Sequence, residues 1–196
     1  MKIKIFKEKY EKKVEKKPVK NKSLVDFKWI GIVTVLAFII SIVFSFFSEI
    51  ITSNASSIVA TIIILLFIGV GIIFDMVGIS ITVADIKTFN SMATKRVRGA
   101  RLAVKLIQNN EKAASFCNDV IGDICGIVSG SAGVALANII SNKLDVNIFI
   151  PTLIITAIIA SLTIGGKAIG KATAINKSTP ILFKFSKIVS YFYRGK

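Results

Sequence analysis

Asp75, Asp119, Asp123, Lys167 and Lys171 stand within or at the ends of otherwise apolar stretches of this 196-residue chain. A lone charge at mid-bilayer costs roughly 2.5–3.5 kcal/mol on insertion scales, so charges in such places are paired or functional. Asp119 and Asp123 are four residues apart and share one face of a helix. With Asn118 beside them, and Asp75 brought in from a neighbouring segment, they make a hard oxygen donor set. Such a set suits Mg2+, which takes few carboxylates and keeps several waters. The competing reading puts the same acids at the inner membrane interface, paired with Lys167, Arg96 or Lys171. For Asp75, near the end of its own segment, that interfacial placement is strong.

Other chemistries are excluded by residue type. Histidine is absent, which removes His-based metal sites and Ser-His triads. Cys117 and Cys125 are eight residues apart, ~12 Å of helical rise, too far for a disulfide within one helix. Both read as small buried apolar residues. The run Gly165-Gly166-Lys167-Ala168-Ile169-Gly170-Lys171 has the outline of a phosphate loop. It lacks the Ser or Thr after Gly-Lys and has no strand before it. No nucleophile–base pair is present, so no enzyme and no tightly bound cofactor are expected; Mg2+ enters as a substrate or ligand.

The elements that must position these residues are apolar blocks. The chain is 53% hydrophobic, and its mean hydropathy is +0.71. A soluble domain of this length is neither so apolar nor so blocky. Four membrane spans are expected at 29–50, 57–82, 113–140 and 148–166, each long enough to cross a ~30 Å hydrocarbon layer. The fold class is therefore all-α: a polytopic membrane bundle with added interfacial helices. The first span does not look like a cleaved signal, because a basic region of nearly 30 residues precedes it. Trp29 stands where an interfacial aromatic would anchor that span, and Ser41, Ser45 and Ser48 give it one mildly polar face for helix packing. Gly122, Gly126 and Gly130 repeat every fourth residue in the third span, a doubled small-xxx-small pattern for close packing that also permits a homodimer.

Two amphipathic helices complete the set. Over 91–108, Ala93, Val97, Ala100, Val104 and Ile107 follow one side, and Arg98, Arg101 and Lys105 the other. Over 179–193, Ile181, Phe185, Ile188 and Phe192 oppose Lys184, Lys187 and Tyr191. Both read as helices lying on the membrane surface.

The basic residues orient the whole. Of 26 Lys and Arg, only Lys143 lies in either of the short polar gaps 48–56 and 141–147, where it faces Asp145. All others are in the tail 1–28, in the central loop, or after residue 166. This is the positive-inside distribution, and four spans with both termini cytoplasmic satisfy it at every loop. The net charge of +15 is split by apolar blocks and cannot form one nucleic-acid face. Anionic lipids of the inner leaflet are the expected partner, in a cell (plasma) membrane of bacterial type.

The order of parts over 57–194 resembles the transmembrane domain of the CNNM/CorC/CorB family of magnesium and cobalt transporters or efflux factors. The residues that carry the resemblance are Phe74-Asp75-Met76-Val77-Gly78-Ile79-Ser80, the basic segment within 91–112, Val120-Ile121-Gly122-Asp123, Gly166-Lys167-Ala168-Ile169-Gly170-Lys171, and the run from Ala174 into the last amphipathic helix. The resemblance makes 51–196 a CorB-like membrane domain and 29–50 an added helix, and implies divalent-cation transport or efflux. The chain departs from the family at the ion-handling residues: Gly78 and Lys167 stand where the family has Glu, Asp123 where it has Asn, and Gly170 where it has Pro. The chain stops before the family's paired regulatory domains, so no nucleotide sensing is expected. Two functions follow. Either Asp123, supported by Asp119, Asn118 and Asp75, ligates a transported cation, or Lys167 replaces the ion by pairing with Asp123 or Asp119 in a non-transporting scaffold or partner subunit.

Overall fold

A computed structural model describes residues 27–53 and 56–192; the tail 1–26, Asn54, Ala55 and residues 193–196, which include the end of the expected helix 179–193, lie outside the described residues. The chain divides into two units, Met1–Ile32 and Val33–Lys196. The described part of the first is only the opening of a helix. Within the described residues every regular element is helical and none is a strand.

The elements are α1 (Phe27–Ser53), α2 (Ser57–Val83), α3 (Ile86–Thr94), α4 (Ala100–Gln108), α5 (Asn110–Ser115), a π-helical stretch (Phe116–Gly122), α6 (Asp123–Leu144), α7 (Phe149–Asn176) and α8 (Ser178–Phe192). Four stretches are long and apolar enough to cross a membrane: Phe27–Ser48, Ser57–Val83, Asn110–Leu144 and Phe149–Asn176, with mean hydropathies of 2.7, 2.9, 1.7 and 2.0. These are the properties of a multi-pass membrane protein. The third stretch runs unbroken from α5 through the π stretch into α6. Pro151 and Pro180 each sit in the first turn of their helix, where a missing N–H costs nothing.

Helix α2 is the hub. It packs against α6, α7, the π stretch, α5 and α8. Its first half joins α6 and α7 through Ala60, Ile64, Ile68, Ala132, Leu136 and Ile159. Its second half meets α3, α4, the π stretch and α8 through Val77, Ile81, Phe89, Ala103, Cys117 and Leu182. Between Val33 and Ser53, α1 lays Val33, Ala37, Ile40 and Phe44 over Val120, Ile124 and Val128. Ser48 is buried and Ser41 and Ser45 are half-buried, so the polar face of α1 is its packing face.

Small residues set how closely these helices approach. A Cβ on Gly71 would stand 3.2 Å from both the Gly122 carbonyl oxygen and the Cys125 Cβ. One on Gly133 would collide with Ile159, and one on Gly166 with Ile72; Gly170 would bring a Cβ to 2.9 Å from the Met76 Cγ. The stripe expected at Gly122, Gly126 and Gly130 is thus only partly used within the chain. Gly126 and Gly130 have nothing within 4 Å of where a Cβ would stand. Four-residue spacing marks a smooth helix surface, but the partner's position decides which part of it is used.

One expectation for the amphipathic helices is corrected. The segment 91–108 is not one helix: the chain turns over 95–99, where Arg96 has φ +56° and Gly99 φ +89°. The inward and outward sides do hold, with Ala100 and Ala103 buried and Arg98, Arg101 and Lys105 exposed. In α8 the side buried against the bundle is that of Leu182 and Ser186, and Ile188 of the apolar stripe is 62% exposed. Lys143, expected to face Asp145, donates instead to the Ser57 Oγ at 3.2 Å, tying the end of α6 to the start of α2.

Gly99 is the most constrained glycine. Its φ of +89° disfavours any L side chain, and a Cβ there would stand 2.9 Å from the Lys187 backbone. Gly99→Ala should lower stability by ~1–2 kcal/mol in thermal unfolding of the detergent-purified protein. Gly126→Ala should leave it unchanged or raise it by up to ~1 kcal/mol, as a helix-interior glycine in open space. Equal losses from the two would contradict these placements.

Candidate functional site

The charged residues singled out in the sequence come together around the middle of α2. Asp75 lies half-buried on α2. Asp119 belongs to the π stretch, Asp123 opens α6, and Lys167 and Lys171 are one turn apart on α7. The charges of Lys167, Asp123, Lys171 and Asp119 all act on the Asp75 carboxylate. Three carboxylates and two ammonium groups thus form one cluster.

Its centre is an ion pair. The Lys167 Nζ donates to the Asp123 Oδ1 at 2.8 Å, joining α7 to α6. Gly122 lies beside it: a Cβ there would make ordinary contact, 3.9 Å from that Nζ and 3.6 Å from the Gly71 carbonyl oxygen. The pair is not sealed within the single chain, since the Lys167 side chain is 25% exposed and that of Asp123 60%. If water reaches it, such a pair contributes ~0–1 kcal/mol. In a bilayer it would also spare the chain two uncompensated charges.

The other candidates take separate partners. Asp119 accepts a hydrogen bond from the Ser115 Oγ at 2.5 Å. Asn118 points at α2, its Oδ1 in the space a Gly78 side chain would fill. That oxygen and the Ser80 Oγ are buried with no hydrogen-bond partner among the described residues. Lys171 is exposed. Among the described residues no three His, Cys, Asp or Glu side chains converge as a metal-ligand group. Asp123, Asp119, Asn118 and Asp75 are therefore neighbours but not one coordination sphere. Asp123 is engaged by Lys167, Asp119 by Ser115, and Asn118 by its packing on Gly78. Cys117 and Cys125 are both buried and free, consistent with their expected apolar role.

Sequence reasoning missed Gly71 and Ser80 as parts of this centre, and reached Gly78 only through the resemblance. Glycines at 69, 71 and 78 were visible as a cluster in one apolar run, but no spacing rule says which one meets Gly122 or Asn118. The π stretch was also missed. It has an i→i+5 backbone ladder in place of i→i+4, a local widening that recurs at functional sites. It carries Asn118 and Asp119 immediately before Asp123.

No family model, curated protein or solved structure matches this chain. The site must be read from its own geometry.

The pair can be measured directly. A double-mutant cycle of Asp123→Asn and Lys167→Met, read by unfolding in a bilayer mimetic, should give a coupling above the ~0–1 kcal/mol of a water-exposed pair. Strictly additive effects would remove the pair from the centre of the structure.

Proposed function

We propose that this chain is an integral membrane protein of CorB-like arrangement in which the ammonium of Lys167 takes the place of a bound cation. It acts as a non-transporting scaffold or partner subunit. The carrying observation is the 2.8 Å contact between Lys167 and Asp123. The acid best placed to ligate a cation already holds a fixed positive charge, and a divalent ion beside it would meet that charge at close range. Four spans and the distribution of Lys and Arg support placement in a cell membrane with both termini cytoplasmic. Single-cysteine labelling of intact cells should therefore reach positions 54 and 145 and leave 95 and 177 unmodified. Labelling of position 95 from outside would reverse the topology.

A second reading, divalent-cation transport or efflux, is favoured by a different observation. The Asn118 Oδ1 and Ser80 Oγ are buried without partners, and such hard oxygens are competent to hold a small cation or its water. Here Lys167 would leave Asp123 when the ion enters. Titration of the purified protein with Mg2+, Co2+ and Mn2+, combined with flux in proteoliposomes, separates the two. The scaffold reading expects no binding heat and no flux from the natural chain, and a gain of Mg2+ binding in Lys167→Glu. The transport reading expects flux that Asp123→Ala abolishes. Flux unchanged in Asp123→Ala would count against any cation role for that residue.

A further inference from the structure

Away from the central cluster, the end of the bundle that carries α3, α4 and α8 holds basic groups the reading above leaves without a task. The left-handed Gly99 lets the start of α4 press on α8: a Cβ on Gly99 would stand 2.9 Å from the Lys187 backbone nitrogen and Cα. Just beside that contact, the Arg98 guanidinium lies over the Tyr191 ring, 5.1 Å from its centroid. Behind it both helices are fastened to the core, α4 by Ala100 and Ala103 and α8 by Leu182. Phe185 of α8 also meets Phe74 of α2 edge-on, with ring centroids 6.1 Å apart. The outward sides carry Arg101 and Lys105 on α4, and Lys184 and Lys187 on α8, all exposed. None of these four side chains, nor that of Arg98, forms an ion pair with a described acid.

We infer that α4 and α8 together form a binding site for the phosphates of a polyanionic lipid headgroup. Four cations without an ion pair among the described residues on two packed helices, with Arg98 in the turn before them, make a preformed anion site. What selects a lipid over a soluble phosphate is the apolar surface beside them. Ile188 is 62% exposed and Tyr191 73%, within four residues of Lys187 along the chain. Groups of this kind at the end of a membrane bundle require acyl chains, while the adjacent ammonium and guanidinium groups require phosphate. The inference rests on the membrane placement of the bundle and not on the role of Lys167.

The test is binding of a fluorescent cardiolipin, the doubly charged probe, by the full chain in detergent micelles. Unlabelled cardiolipin should displace the probe and inorganic phosphate should not. Arg98→Gln with Lys187→Gln should weaken binding roughly 30-fold, at about fivefold per basic residue near a headgroup. Arg101→Gln with Lys184→Gln, which leaves the Gly99 contact untouched, should do the same. Lys12→Gln with Lys13→Gln in the tail should change binding by no more than about twofold. A loss from the tail variant equal to that from the helix variants would overturn the site in favour of diffuse attraction. Displacement by inorganic phosphate would overturn the lipid as its occupant. Release of the chain from vesicles by alkaline carbonate would refute the membrane placement itself, whereas a retained chain that binds no cardiolipin refutes only this inference.

Discussion

The contact between Lys167 and Asp123 ties α7 to α6 where both helices lie against α2. Gly122 faces Gly71 across the α2–α6 crossing, and the absence of two side chains lets backbone approach backbone. Beside this crossing the Lys167 ammonium reaches the first residue of α6. Helix spacing, the ion pair and the packing of α7 on α2 are thus one constraint. In an apolar medium association comes from close fit and from pairing of polar groups, because lipid is as apolar as the helices themselves. Gly166 and Gly170, set against Ile72 and Met76, hold α7 at the distance that the lysine requires.

The charge cluster has a chemical asymmetry. Around Asp75 stand two further carboxylates and two ammonium groups, so one carboxylate is left over. Asp123 is satisfied by Lys167 and Asp119 by Ser115. On the α2 side, the Asn118 and Ser80 oxygens remain buried without partners. Unpaired buried oxygens are costly and persist where something compensates them. The centre thus combines a closed half, the ion pair, with an open half, the two oxygens, and the two functional readings correspond to those halves.

The end of the bundle is built differently. Here α2 and α7 give way to shorter helices, and the core passes from helix-on-helix packing to a layer in which Phe89, Leu182 and Ala103 anchor amphipathic pieces. The turn at 95–99 folds α3 back onto α4, and Gly99 supplies the one backbone geometry that lets α4 rest on α8. This layer holds its basic groups rigidly, and the stacking of Arg98 on Tyr191 crosses between its parts.

The sequence by itself determined the helical class, the four apolar stretches, the packing side of α1 and the outward direction of Arg101 and Lys105. Each follows from composition and from a period within one segment, which local physics decides. It also narrowed the partner of Lys167 to Asp123 or Asp119, one turn apart on the same face. Only the tertiary structure chose Asp123, by placing it 2.8 Å from the ammonium. It likewise broke 91–108 at Gly99, widened the helix at Phe116–Gly122, turned Ile188 outward and left Gly126 and Gly130 facing open space. None of these is a property of a segment. Each depends on where a second helix lies, and a period of 3.6 residues says which side a residue is on but not what stands opposite it.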